Sequence, residues 1–328
     1  MQTFNISYES KEKERNKTNF LANFKKQLSS TNVNFLIGAG CTTPSISILG
    51  NKEEEINSET DENKKQQLIN DFKKTIIAPH RNLGEGNTKK NIETYKQFLL
   101  FMNRFLSERD NNILPRKVNI FTTNYDLFIE ESCKNINIVL NDGFDRRKPM
   151  LSNKFKYSRE LFFNRMYTER DLYSYTHEIP IVNLIKLHGS LSWEKSKDEN
   201  EDIIFKNNLN EDFLAIMPTN DKYSDTVLSR LFYDMLRFYS NELNKENTIL
   251  ISMGFSFNDK HILNITKRIL LTNPTLILII FCFDVKAKNS FEKIFSELPN
   301  VWLVHNGNEK FIFEKMINIL NESINNNG

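Results

Sequence analysis

Five short apolar segments constrain the fold of this chain more than any other feature. VNFLIGAG (33–40), VNIFTTN (118–124), IVNLIKLHGS (181–190), NTILISMGFS (247–256) and TLILIIFCFD (275–284) are continuously apolar rather than alternating. A strand with one wet face alternates in hydropathy. A short run that is apolar throughout suits a strand covered on both faces, as in the centre of a parallel sheet. VWLVHN (301–306) is a sixth such run and is expected at a sheet edge. Helical patterns fall between the runs: NYDLFIEESCKN, NDKHILNITKRILL, NSFEKIFSEL and EKFIFEKMINILNES. Strand and helix therefore alternate, which predicts an α/β chain, a Rossmann-like doubly wound parallel sheet of about six strands.

The length of 328 residues allows one large or two modest domains. The reading adopted is a single domain over 1–328 with helical cap insertions at about 42–117 and 141–180. The first insertion carries the polar run NKEEEINSETDENKKQQ, and the second reads as Tyr- and Arg-rich helices. SWEKSKDENEDIIF (192–205) reads as a two-stranded ribbon with a charged tip, and the tail NESINNNG as a frayed end. The 26 Phe residues recur at helical spacing, as in LFYDMLRFY (231–239), and are assigned to core packing.

Composition narrows the function classes. Forty-four basic against 42 acidic side chains leave a net charge of +2, which gives no electrostatic footprint for nucleic acid. No apolar run approaches the ~20 residues of a membrane span, and MQTFNISYESKEKER lacks the apolar core and cleavage site of a secretory signal. A cytoplasmic protein is expected. Cys41, Cys133 and Cys282 are far apart and odd in number, so they form neither a disulfide framework nor a C-x-x-C zinc pair, and no metal is expected.

Four of the ten glycines, Gly38, Gly40, Gly189 and Gly254, lie at the carboxyl ends of these apolar runs. Ligands of open parallel sheets bind there, where glycine lets backbone N–H groups approach a phosphate without a Cβ in the way. Beside them stand Cys41, Thr42 and Thr43; Thr123, Asn124 and Asp126; His188 and Ser190; and Ser256, Asn258 and Asp259. Each piece alone has a plainer reading. Gly38-Ala39-Gly40 lacks the third glycine of G-x-G-x-x-G and also suits a purely steric strand-to-helix turn. Asn124 and Asp126 precede a helix and by themselves read as caps. Asn258 and Asp259 are read as caps outright. His80, His177, His261 and His305 have no supporting context. His188 ends a buried run and is followed by glycine, which favours a site over a structural histidine.

FLIGAG with its Cys-Thr pair, FTTNYD, KLHGS with SW close behind, MPTNDKY and ISMGFSFNDKHI follow in this order across residues 33 to 284. The combined pattern resembles the sirtuin-like NAD-consuming proteins, and more narrowly the bacterial branch found in antiphage defence systems. The resemblance implies that Gly38, Ala39, Gly40, Cys41 and Thr42 cradle the NAD diphosphate. It places Thr123, Asn124 and Asp126 on the T-x-N-x-D motif, with the asparagine beside the nicotinamide ribose and the reacting water. It makes His188, followed by Gly189, the catalytic base, and puts Gly254, Ser256 and Asp284 on the adenosine side.

Two departures bear on activity. Deacylating sirtuins carry a four-cysteine zinc ribbon, which three scattered cysteines do not supply. They also follow the glycine turn with Gly-x-Pro-Asp-Phe-Arg, where this chain has TTPSISILGNKEEE. The NAD half of the site remains, so the resemblance implies an NAD+ glycohydrolase releasing nicotinamide and ADP-ribose, an antiphage effector that depletes NAD+ on infection. The alternatives are a deacylase or ADP-ribosyltransferase with a protein acceptor, and a non-catalytic module binding NAD or ADP-ribose. Dehydrogenase chemistry is disfavoured by the missing third glycine. Control is expected through a homo-oligomer and a co-encoded partner such as a HerA-type ATPase or a short Argonaute, with no direct nucleic-acid or membrane contact.

Overall fold

A computed structural model of the chain describes residues 1–7, 11–47, 55–109, 113–134, 136–146, 155–170, 175–195, 203–206, 209–216 and 226–325. The main sheet contains β1 (Gln2–Asn5), β2 (Asn32–Ile37), β3 (Lys117–Thr122), β4 (Val139–Asn141), β9 (Ile181–Lys186), β12 (Thr248–Met253), β13 (Leu276–Phe281) and β14 (Val301–His305). A second sheet joins β5 (Phe144–Asp145), β6 (Lys156–Tyr157), β10 (Trp193–Lys195) and β11 (Ile203–Phe205), and β7 (Tyr167–Arg170) pairs with β8 (Tyr175–Glu178). The helices are α1 (Lys11–Ser30), α2 (Glu62–Ile77), α3 (Gly86–Ser107), α4 (Phe128–Ser132), α5 (Thr226–Leu243), α6 (Lys260–Thr272), α7 (Val285–Ile294) and α8 (Phe313–Asn325).

All six apolar runs are strands of one parallel sheet, in the order β1-β14-β13-β12-β2-β3-β9-β4. Helices cover both faces, which is why the runs do not alternate. Phe35, Ile251 and Val304 pack with α1, α3 and α8 on one side, whereas Leu36, Leu250 and Leu303 pack with α5, α6 and α7 on the other. The doubly wound architecture holds, with eight strands rather than about six. The two additions, β1 and β4, are short and only partly buried, so neither carries an extended apolar run. β1 also displaces β14 from the expected edge, since Phe4 packs on Phe20 and Trp302 at 5.4 and 5.5 Å.

The expected caps need correction. Where they are described, residues 42–117 are largely helical, but α3 is the crossover from β2 to β3 and lies on the sheet itself, with Phe98 edge-on to Phe35 at 4.9 Å and both rings fully buried. Residues 141–180 do not form helices where they are described, apart from a single 3-10 turn at Arg159–Phe163; they supply β5, β6, β7 and β8. Tyr and Thr favour strands, and the charged residues of YTER and YTHE disguised that preference. The ribbon at 192–205 is present as β10 and β11, and its charged tip at 196–202 lies outside the described residues. Phe144, Tyr157, Trp193 and Phe205 form the aromatic centre of this second sheet, with ring separations of 5.4 to 5.8 Å.

Register across the middle of the sheet is fixed by asparagines. Asn34, Asn119, Asn183 and Asn141 occupy paired positions on β2, β3, β9 and β4. Asn119 donates to Asn34 Oδ1 at 2.8 Å, Asn183 to Asn119 Oδ1 at 2.8 Å, and Asn141 to Asn183 Oδ1 at 2.9 Å. Glu242 of α5 accepts a second bond from Asn119 at 3.1 Å and pairs with Lys245 at 2.6 Å. A buried amide left unpaired costs about 1–3 kcal/mol, so a slipped register would orphan several at once.

Candidate functional site

Paired positions bring the strand ends level. Met253 pairs with Ile37, Ile37 with Thr122, and Thr122 with Lys186. Gly254, Gly38, Asn124 and His188 therefore leave four adjacent strands within two residues of one line at the carboxyl edge. The chain runs outward from β2 through β3 to β9 and then returns to β12 on the other side of β2, so the direction of winding reverses between β2 and β12. Ligands of doubly wound sheets bind at such a reversal.

The glycines serve this point differently from the phosphate reading. Gly38 donates to the Met253 carbonyl at 3.0 Å and Gly40 to the Gly254 carbonyl at 2.9 Å. A Cβ on Gly38 would lie 2.4 Å from the Gly254 oxygen, and one on Gly254, which has φ +63°, would lie 2.6 Å from the Cys41 nitrogen. The missing side chains thus make room for the facing loop. Cys41 and Thr42 close the turn by donating to the carbonyls of Gly38 and Ala39 at 3.0 and 3.1 Å. The Ala39 amide makes no backbone hydrogen bond among the described residues and is the donor this turn can offer a ligand. Cys41 is buried, and burial, with Asp126 nearby, raises its thiol well above the ordinary range; it is a packed thiol rather than a nucleophile.

Asn124 is held from both sides. Its backbone amide donates to Thr122 Oγ1 at 3.1 Å and its side-chain Nδ2 to the Gly38 carbonyl at 3.2 Å, which ties the β3 loop to the glycine turn. Thr123, half-buried, precedes it. Asp126 is buried and accepts from the Phe128 amide at 3.1 Å, just ahead of α4, whose N-cap is Leu127. Burial raises its carboxyl, and Lys186 works against that rise. Lys186, also buried, pairs with Glu130 at 2.8 Å, donates to the Asp126 carbonyl and reaches Ser190 Oγ at 3.2 Å. A lysine beneath a loop with two carboxylates supports the loop's position. Its signal in the sequence was a single cation inside the apolar run IVNLIKL.

His80, which had no sequence context, has a clear structural one. Its Nδ1 meets the Ile76 carbonyl at 3.0 Å, its Nε2 accepts from the Leu127 amide at 2.9 Å, and its ring stacks on Phe128 at 4.9 Å. These partners need the neutral ring with the proton on Nδ1. Burial pushes its pKa down to about 4, against the Ile76 carbonyl and with help from Lys186. The folded state therefore refuses a proton that the unfolded chain accepts between about pH 6.5 and 4, and stability falls with pH through that window by up to about 3 kcal/mol. Asp126 and Glu130, both raised by burial, contribute with the opposite sign. His80→Gln isolates the histidine: in chemical unfolding the difference from wild type should shrink as pH falls from 6.5 to 4. Parallel losses in both proteins would remove His80 from the acid response.

His188 follows β9, and its carbonyl accepts from the Ile216 amide at 2.8 Å. Gly189, at φ +90°, would place a Cβ 2.3 Å from the Leu214 carbonyl oxygen, so only glycine seats the turn that carries the histidine. The imidazole Nε2 lies 3.0 Å from Asp259 Oδ2. Asp259 is the N-cap of α6 as expected, with Oδ1 accepting from the His261 and Ile262 amides at 2.9 and 3.1 Å. Reading it as a cap alone missed its second oxygen. Ser256 is exposed and accepts from the Asn258 amide at 3.4 Å. Asp284 caps α7 through the Ala287 amide at 2.7 Å and sits three residues beyond β13, at the outer side of this row. MPTNDKY (217–223) lies outside the described residues.

Tyr95 completes the floor. Fully buried on α3, its hydroxyl lies beside the Asn124 amide and within the electrostatic reach of Cys41 and Asp126. With the Ala39 amide and the His188 imidazole, the donors suit a polar, phosphorylated ligand, which fits NAD. Among the described residues no group of three His, Cys, Asp or Glu side chains could hold a metal, and no helix is long and apolar enough to cross a membrane.

No curated protein matches the chain at a significant level. A family model, described as SIR2-like domain, matches residues 118–298, more than half of the chain, and includes Asn124, Asp126, His188, Gly189, Gly254, Ser256 and Asp284 while leaving the Gly38–Thr42 turn outside. With that match lying over the same strand ends that gather at the winding reversal, the chain belongs to the SIR2-like family, which uses NAD.

Proposed function

We propose that this chain is an NAD+ glycohydrolase, cleaving NAD+ with water to nicotinamide and ADP-ribose, and that it serves as an antiphage effector. The observation that carries the reading is the placement of Asn124 and His188 two residues beyond the paired ends of neighbouring strands, beside the reversal where a dinucleotide binds. Nicotinamide leaves as a neutral amine and needs little acid assistance. The protein has to stabilise an oxocarbenium-like ribose and present water. Asn124 orients the ribose and the water through its amide, and His188 takes the proton as water adds to the anomeric carbon. The Gly38–Thr42 turn takes the diphosphate through its Ala39 amide, Ser256 and Asp284 take the adenosine side, and Gly254 makes room for the turn.

Chromatography of NAD+ incubated with the purified chain tests this. Nicotinamide with ADP-ribose is the expected pair of products. Consumption only in the presence of a protein acceptor would make the chain a deacylase or ADP-ribosyltransferase instead, and tight binding without turnover a signalling module.

An effector that drains NAD+ has to be silent before infection. The proposal therefore includes a cytoplasmic homo-oligomer controlled by a co-encoded partner of the HerA-type ATPase or short Argonaute kind. Phe163, Met166 and Tyr167, exposed together in one segment, support self-association. A monodisperse monomer with full activity alone would contradict this part.

A further inference from the structure

We infer that Asp259 is a positioning residue for His188: its carboxylate fixes the imidazole in the tautomer protonated on Nε2 and leaves Nδ1 as the basic nitrogen. The inference rests on the reading of His188 as the base and adds which nitrogen acts and what selects it.

The two oxygens of Asp259 are divided between tasks. Oδ1 accepts two amides at the start of the 13-residue α6, and Oδ2 stands 3.0 Å from His188 Nε2. The bonds to Oδ1 fix the plane of the carboxylate, so Oδ2 has one place to be. An ionised carboxylate only accepts hydrogen bonds, hence Nε2 has to be the donor. The neutral ring carries one proton, which leaves the lone pair on Nδ1. That atom makes no hydrogen bond among the described residues.

The loop that delivers Asp259 is built around strain. Phe257, two residues earlier, has φ +58°, a left-handed conformation that bulky side chains rarely adopt. It is held there by burial against Phe255 at 5.0 Å and Phe295 at 5.2 Å. Strained residues of this kind persist where the surrounding packing over-determines them, and they cluster at working sites. From the other side, Phe232 lies 5.8 Å from the His188 ring and limits its rotation. A helix cap by itself requires neither the strained turn nor the second contact.

Asp259→Asn and Asp259→Ser separate the two tasks, because both residues still cap a helix well. Asparagine can keep its oxygen on the amides and turn its NH2 toward Nε2, which makes Nε2 an acceptor and moves the ring proton to Nδ1. Serine leaves Nε2 without its partner. The expected result is a kcat for NAD+ hydrolysis about 10- to 10³-fold lower in Asp259→Asn, a smaller loss in Asp259→Ser, little change in KM and a melting curve close to wild type. Imidazole 15N spectra of the full chain without NAD+, taken at about pH 8.5 where an ordinary imidazole is neutral, give a readout independent of turnover. His188 is assigned by the resonance lost in His188→Ala. The wild type should show the Nε2-protonated pattern and Asp259→Asn the Nδ1-protonated one. A wild-type ring protonated on Nδ1, or an Asp259→Asn chain with unchanged tautomer and rate, would overturn the inference. If the wild type does not cleave NAD+ at all, the hydrolase reading falls, and the tautomer spectra alone decide whether Asp259 sets the ring.

Discussion

His188→Ala and Asn124→Ala should each slow NAD+ cleavage by about 10²- to 10⁴-fold while the protein melts within about 4 °C of the wild type. His188 is in reach of solvent, so removing its ring opens no sealed cavity. Its backbone seat, through Gly189 and the Ile216 amide, does not involve the ring. Asn124→Ala loses one hydrogen bond to the Gly38 carbonyl at 3.2 Å, a stability cost of about 1 kcal/mol. Both effects on rate therefore have to come from the reaction. The measurement is nicotinamide release followed by chromatography at saturating NAD+, with NAD+ affinity determined separately. Because Asn124 and His188 act on the same water, the double variant should be little worse than the poorer single one. Near-normal turnover in both single variants would end the assignment, and a loss confined to KM would move Asn124 from the reacting ribose to binding alone.

The strands were legible because burial on both faces leaves a direct trace in sequence, an uninterrupted apolar run. β1 and β4 leave none, being short edge strands with half-wet side chains. The strands at 144–178 were hidden for another reason: Arg, Glu and Lys between the Tyr residues suggest a helix surface, whereas the hairpin β7–β8 pairs YTER with YTHE residue for residue. The asparagine ladder was invisible in any single run. Asn34, Asn119 and Asn183 each look like a blemish in an apolar segment until the register places them side by side.

The site was legible as a list of strand ends and less so as a set of contacts. Asp259 has the sequence of a cap and is one, and nothing in NDKHI shows that its second oxygen meets a histidine 71 positions earlier. His80 and Lys186 escaped notice for the same reason: their partners, Leu127 and Glu130, belong to the β3 loop and the α4 helix that follows it rather than to their own segments. Local spacing finds residues that share an element. Residues brought together by neighbouring strand ends require the strand order, which no single segment contains.

Gly254→Ala should be strongly damaging, costing about 2–5 kcal/mol. Two contributions add. The position has φ +63°, which an L residue occupies at a cost of about 1–2 kcal/mol, and overpacking a tight site costs about 1–3 kcal/mol more. The neighbours at the Cβ position are the Cys41 nitrogen at 2.6 Å, the Cys41 Sγ at 2.8 Å and the Gly40 carbonyl carbon at 2.9 Å; the sulfur can turn aside, but the two backbone atoms cannot. The β2 and β12 loops have to separate, and that opens the winding reversal itself. Gly84→Ala is the matched control: nothing lies within 4 Å of its Cβ, and its effect should stay within about ±0.5 kcal/mol. Chemical unfolding and NAD+ binding of the two variants distinguish the two roles open to a glycine at a strand end. Were Gly254 there to admit a phosphate, alanine would weaken NAD+ binding and leave unfolding untouched. Because it is there to admit another loop, stability should fall first, with binding lost as the consequence. An unfolding curve that matches wild type alongside weakened binding would reverse that order and return Gly254 to the ligand.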